Sequence, residues 1–360
     1  MEFVATLNPG LEKIALQEIE ELLGKKAEVL HPGAVRFSAE EPAIFTLNYL
    51  SRSLHRVVLL LIESEFSELK DIYKLCADLE YSRWVYPTQT FAVRTERTGE
   101  HSFTSLDVSR EIGQAIIDSF QQEKHQRLKV DLNNPNLTFL AEVRGSRFWL
   151  GLDTTGESLH KRWYRVRGHK APLKTTLAYS MLRIAGIAEG KSVLDPFCGC
   201  GTIPIEAGLY LKQIPPGQKR DFAFFRFYWL DKSPFLQLAK TWKPREIELK
   251  IQGWDISERC VQDARKNAEE AGLELKFSRR DTTQERIEAD LVVTDLPFGV
   301  RTPGRNLPEL YRKFLENLRQ GSWETAVLLT ARPQLLDGYH EKIWVRYGDL
   351  DAWICIYKNK

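Results

Sequence analysis

Cysteine, net charge and long apolar runs are all scarce in this sequence, and each scarcity removes a class of protein. The five cysteines (Cys76, Cys198, Cys200, Cys260, Cys355) are odd in number and unevenly spaced. That speaks against a disulfide framework and for a reducing, cytoplasmic setting. Cys198 and Cys200 share one glycine-rich turn, but no second Cys or His pair stands at zinc spacing, so no metal site is expected. No run of about 18 apolar residues occurs, so no membrane span is expected. The start, M-E-F-V-A-T-L-N-P-G, lacks the basic-then-apolar order of a secretory signal. A net charge of +2 means that any nucleic-acid surface must be a local patch. What is present is ordinary soluble-protein composition, 43% hydrophobic and 28% charged, in 360 residues. That length exceeds one typical domain.

The chain opens with a strand (Glu2 to Leu7), a turn at Asn8-Pro9-Gly10, and apolar residues at helical spacing that stop at Gly24. A short strand (Val35 to Phe37), a helix (Pro42 to Leu50) and a strand (Val57 to Glu63) follow. This β-α-β-α-β order over residues 1–63 predicts a ferredoxin-like α+β unit. Over residues 64–155 the pattern predicts a short helix, a strand from Gln89 to Thr95, and an amphipathic helix from Ser105 to Phe120. The turn cluster Asn133-Asn134-Pro135 comes next, then a hairpin of Leu137 to Val143 with Arg147 to Leu152. With its D-L-N-N-P turn, this order resembles the THUMP domain, an RNA-binding module of tRNA- and rRNA-modifying enzymes that follows a ferredoxin-like domain. Residues 156–174 then form a basic linker. It holds Lys161, Arg162, Arg165, Arg167, Lys170 and Lys174, with Trp163 and Tyr164 between them and no acid from Ser158 onward. Basic side chains neutralise phosphates and aromatic faces stack on unpaired bases. These six residues are therefore expected to contact RNA, rather than to be merely a solvated linker.

From residue 175 to 360 strands and helices alternate. Ser192 to Asp195 is a strand ending in acid that runs into Pro196-Phe197-Cys198-Gly199-Cys200-Gly201-Thr202, with Thr202 a candidate cap for a helix Ile203 to Lys212. Pro204 stands where a nicotinamide fingerprint needs its third glycine, so a dinucleotide site is not expected. D-P-F-x-G-x-G-T instead resembles motif I of the class I, S-adenosylmethionine-dependent methyltransferases. The resemblance implies a Rossmann-like domain with a seven-stranded mixed sheet and S-adenosylmethionine as cofactor. It implies cofactor contacts from Asp195, Pro196, Phe197, Gly199, Gly201 and Thr202. It also assigns the ribose hydroxyls to Asp255, at the end of Ile251 to Asp255, and places Ile256 and Asp281 near the adenine. Phe222 to Trp229 has six aromatics in eight residues and is expected to be a lid packed on the core.

The stretch A-D-L-V-V-T-D-L-P-F-G, Ala289 to Gly299, predicts a buried parallel strand that stops at Asp295-Leu296-Pro297-Phe298. A ring-conjugated amine keeps its lone pair in the ring plane's π system. A carboxylate and a carbonyl that each accept one N–H can turn that lone pair toward a methyl donor, and the carboxylate stabilises charge growing on nitrogen. Asp295 and a carbonyl of Leu296 or Pro297 are the candidates for this, with Pro297 stiffening the turn and Phe298 stacking on the base. Amine methyltransferases carry [D/N]-P-P-[F/Y/W] here. With Leu296 in place of the first proline, D-L-P-F-G is similar to the variant in enzymes that make N2-methylguanosine at position 6 of tRNA. The resemblance therefore implies a tRNA guanine-N2 methyltransferase, with tRNA as partner and no protein partner required. An rRNA guanine-N2 enzyme, a tRNA guanosine-10 enzyme and a non-catalytic RNA-binding protein are the alternatives.

Overall fold

The computed structural model describes residues 1–168, 172–298 and 306–359. Lys170 and Gly299 lie outside them. The N-terminal half carries strands β1 (Glu2–Leu7), β2 (Ala27–His31), β3 (Ala34–Ser38), β4 (Leu54–Glu65), β5 (Thr90–Thr98), β6 (Lys129–Val130), β7 (Leu137–Arg144) and β8 (Arg147–Asp153). Its helices are α1 (Glu12–Leu23), α2 (Ala43–Leu50), α3 (Leu69–Ala77) and α4 (Ser105–Lys124). The strands form one eight-stranded sheet in the order β2-β3-β1-β4-β8-β7-β5-β6. The ferredoxin-like and THUMP-like patterns therefore share a sheet. The join is β4, twelve residues long, which pairs antiparallel with β1 on one side and β8 on the other. β2, with the sequence A-E-V-L-H, was not anticipated; it is a half-exposed edge strand whose pattern is too polar to stand out.

Alternation along β1 sorts the two faces of this sheet. Phe3, Ala5 and Leu7 pack with Ala15 and Ile19 of α1 and Ile44 of α2, while Val4 points to a small cluster with Ala34, Val58 and Trp149.

The C-terminal half carries β9 (Val193–Asp195), β10 (Ile251–Asp255), β11 (Lys276–Arg279), β12 (Leu291–Asp295), β13 (Thr325–Thr330), β14 (Glu341–Tyr347) and β15 (Leu350–Lys358). Its helices are α5 (Thr175–Ala185), α6 (Thr202–Leu211), α7 (Ser233–Thr241), α8 (Glu258–Glu270) and α9 (Leu307–Gln320). The seven-stranded sheet runs β11-β10-β9-β12-β13-β15-β14, parallel from β11 to β13 and closed by an antiparallel hairpin. Both faces are covered, which is why β12 reads as an unbroken apolar run. Leu291 and Val293 pack on the α5 side with Leu177 and Met181, and Val292 packs on the α9 side with Phe314 and Leu318. α9 was not anticipated, although Tyr311, Phe314, Leu315 and Leu318 have helical spacing.

The aromatic run is packed, as a lid would be, but it also joins the two halves. Phe222, Phe224 and Phe227 are fully buried. Phe224 meets Phe45 of α2 edge-on at 5.2 Å, and its N–H donates to the Thr154 carbonyl at 3.1 Å. Phe235 of α7 meets Tyr49 of α2 at 5.6 Å.

Candidate active site

β9, β10 and β12 each end in an aspartate, namely Asp195, Asp255 and Asp295. β9 lies between β10 and β12 in the sheet. The strand order reverses there, which opens a crevice beyond the carboxyl ends. A cavity of about 490 Å³ fills it, and all three carboxylates line it. One wall is the turn from Pro196 to Cys200 with Thr202, a second is Ile256, Ser257 and Asp281, and a third is Leu296, Pro297 and Phe298. The glycine turn and the Asp295 loop thus open into one space.

The Asp255 carboxylate is fixed by backbone. The Gly199 N–H donates to Oδ2 at 3.1 Å and the Ser257 N–H to Oδ1 at 2.8 Å. Each oxygen can accept a further bond, so a diol would suit it. Gly199 has φ +53, and a Cβ there would meet open space. Gly201 is different: at φ +84 it packs against Ala264 and Phe277, which a Cβ would approach at 3.0 and 3.1 Å. Its need for glycine is helix-to-turn packing, and it is not among the cavity-lining residues. Thr202 does not cap α6, because Gly201 holds the cap position. Thr202 Oγ1 instead accepts from Arg165 Nη2 at 3.1 Å. Asp281 accepts from the Thr283 N–H and Oγ1 at 3.0 and 2.7 Å, and Ile256 is 41% exposed at the cavity wall.

Asp195 is fully buried, and Thr294 Oγ1 and the Phe197 N–H donate to its Oδ1 at 2.6 and 3.1 Å. Burial pushes its pKa up to about 8, partly offset by those two bonds. A carboxyl whose folded pKa lies above its unfolded value stays protonated in the fold while the unfolded chain ionises. Its contribution is fully present at low pH and is lost as pH rises from about 4 toward 8. Asp195→Asn should therefore gain stability relative to the parent as pH rises through that window. Urea midpoints at a series of pH values check this, and a pH-independent difference would refute it.

At Asp295, Tyr347 Oη donates to Oδ2 at 3.2 Å. The Leu296 N–H donates to the Leu329 carbonyl at 2.9 Å and continues the ladder to β13. A proline has no N–H to give, so leucine at this position ties the loop to the sheet. The Pro297 carbonyl accepts from Tyr311 Oη at 3.2 Å, which also lies 2.7 Å from Thr330 Oγ1. Phe298 lines the cavity, with its ring edge-on to Tyr347 at 5.8 Å. Sequence reasoning missed Tyr311, Thr294 and Tyr347, since nothing in their local patterns marks them as more than core.

The basic linker is less open than its composition suggests. Arg162 is buried with Nε 3.3 Å from Glu206 Oε1, so its expected RNA contact is corrected: the guanidinium faces a carboxylate inside the protein. Arg165 is half-buried and donates to the Leu173 carbonyl at 2.8 Å. Lys174 is half-buried as well. Lys161 and Arg167 are exposed. Among the described residues no group of His, Cys, Asp and Glu is arranged to hold a metal, and no helix is long and apolar enough to cross a membrane.

Residues 162–348 match the family model for the RMKL-like methyltransferase domain. The chain belongs to the RMKL-like methyltransferase family. Residues 66–153 of this methyltransferase match the THUMP domain, and residues 2–58 match the RlmL ferredoxin-like domain. It is 36% identical to a tRNA (guanine(6)-N2)-methyltransferase of Archaeoglobus fulgidus, over 99% of this chain and 92% of that one. It is 37% identical to the enzyme of the same name from Methanocaldococcus jannaschii, over 89% and 87%. Among solved structures it resembles a possible methylase from Clostridium difficile 630, with a TM-score of 0.91 and 26% identity, covering 100% of this chain and 98% of that one.

Proposed function

We propose that this methyltransferase places a methyl group from S-adenosylmethionine on the exocyclic N2 of a guanine in tRNA, at position 6. The observation that carries the reading is the single cavity shared by the glycine turn and the strand-final Asp295. S-adenosylmethionine supplies an electrophilic methyl group. Asp255, held by two backbone N–H groups, suits the ribose hydroxyls. Gly199 leaves room beside it. Asp195, Pro196, Phe197 and Thr202 complete that wall, and Ile256 and Asp281 flank the adenine end. Gly201 supports the turn from behind.

Asp295 accepts one N–H of the guanine amine. The Pro297 carbonyl already accepts from Tyr311, which favours the Leu296 carbonyl as the second acceptor. Held at two points, the amine turns its lone pair to the donor. Phe298 offers a ring to the base. The RNA-binding unit spans residues 64–155, after a ferredoxin-like unit at 1–63. Residues 156–174 link it to the methyltransferase unit at 175–360. Lys161, Arg167 and Lys174, with Lys170, are the linker cations left for phosphates once Arg162 is paired with Glu206 and Arg165 is bonded to Leu173 and Thr202. The position-6 assignment is supported by the names of two relatives matched over most of their length and by the D-L-P-F-G loop. A cytoplasmic location belongs to the same proposal.

The test is nucleoside mapping of unmodified tRNA after incubation with labelled donor. N2-methylguanosine at position 6 is the expected product. Label at position 10, or only in a parallel rRNA sample, would overturn the substrate assignment.

A further inference from the structure

We infer that Tyr347 is a positioning residue for the carboxylate of Asp295, and that the Asn8-Pro9-Gly10 turn of the N-terminal half holds it in place. The inference rests on the proposal that Asp295 grips the guanine amine.

Tyr347 is the last residue of β14 and is 8% exposed. Its hydroxyl donates to Asp295 Oδ2 at 3.2 Å and its ring meets Phe298 edge-on at 5.8 Å. One side chain therefore touches both ends of the Asp295-Leu296-Pro297-Phe298 loop. A bond from a hydroxyl to one carboxylate oxygen fixes the rotation of that carboxylate about its Cβ–Cγ bond. This decides where the acceptor lone pairs point, and acceptor direction is what an amine held for in-line attack requires.

β14 is the edge strand of the C-terminal sheet, with β15 on one side only. An edge strand left alone is the least constrained part of a sheet. Here the turn between β1 and α1 is seated on it. The Arg346 N–H donates to the Pro9 carbonyl at 3.2 Å. Gly10, at φ +94, lies so close that a Cβ would collide with the Trp344 carbonyl oxygen. Only glycine permits both that φ and that approach. The turn is itself pinned. The N–H groups of Gly10 and Gly33 both donate to Glu12 Oε1, at 3.0 and 2.7 Å. Asn8, buried, donates from Nδ2 to Thr176 Oγ1 of α5 at 3.0 Å. The ferredoxin-like unit at the N-terminus thus bears directly on the strand that carries Tyr347.

Steady-state kinetics on the full chain tests this. Tyr347→Phe keeps the ring against Phe298 and removes only the hydroxyl. It should lower kcat by roughly tenfold, since a hydrogen bond to a charged group contributes about that factor or more. KM for tRNA and the donor Kd should stay at parental values. Gly10→Ala should lower kcat in the same way, and should add little in a Tyr347→Phe background, because both changes act through one contact. Asn8→Ala loosens the same turn without backbone strain and carries the same expectation should Gly10→Ala not fold. Parental kcat in Tyr347→Phe, with Asp295→Ala strongly impaired, overturns the positioning role. Fully additive losses overturn the link to the turn. Parental activity in Asp295→Ala would instead remove the amine-grip reading beneath both.

Discussion

Asp295→Ala is expected to lose on the order of 10²-fold or more in methyl-transfer rate while still binding tRNA and donor. A loss of that size corresponds to about 2.7 kcal/mol of transition-state stabilisation. Two effects contribute. On the proposed mechanism the carboxylate orients the amine, and misplacement alone can cost about 10²-fold. On the same proposed mechanism it also faces the positive charge that grows on nitrogen. Binding should survive, because Asp255, proposed for the ribose, and the exposed linker cations lie on other elements. Asp295→Asn separates the two effects. It keeps an acceptor oxygen near the same place and removes the charge, so its rate should fall between those of the parent and the alanine variant. Single-turnover assays under saturating donor give the chemical step directly. Parental turnover in Asp295→Ala would remove the assignment.

Legibility from sequence followed the range of the interaction. The site loops were readable because each is a short continuous segment: an apolar strand, then an acid, then residues suited to a turn. Asp195, Asp255 and Asp295 could be placed at strand ends, and the strand order of this fold then brings them to one cavity. Partners drawn from distant strands left no such mark. Tyr347 lies 52 residues from Asp295 and sits in an ordinary alternating strand. Leu296 looked like a departure from a proline-rich loop, and the reason appeared only when its N–H was seen to reach Leu329 on β13. In the linker, charge and exposure part company at Arg162, which is buried, while Lys161 and Arg167 are exposed. Arg162 and Glu206 are 44 residues apart, and nothing near either of them announces a buried pair.

That pair supports the second large expected effect. Arg162 and Glu206 are both 0% exposed in their side chains. Glu206 lies on α6, the helix that follows the glycine turn, and Arg162 lies in the linker, so the pair fastens one to the other. Tyr164 Oη also donates to Glu206 Oε1, at 2.9 Å. Burial, and then the neighbouring carboxylate, push the Tyr164 phenol above its usual range, so it remains a donor. The rest of the Arg162 guanidinium is taken up by the carbonyls of Leu159 and, at 3.3 Å, Arg52. Glu206→Ala would leave a cation inside the protein facing a methyl group. Breaking one side of a buried pair costs about 3–5 kcal/mol, and denaturant midpoints should show a loss of that order. Replacing both partners by apolar residues of similar volume, Arg162→Met with Glu206→Leu, should recover part of it, since the Arg162 charge is removed with its partner, while Arg52, buried nearby and also attracted by Glu206, still loses that carboxylate. The contrast between single and double variants discriminates charge burial from lost packing, because packing alone would make the double variant the worse of the two. A single variant within about 1 kcal/mol of the parent would place the pair among exposed salt bridges, and would mean that water reaches this interface.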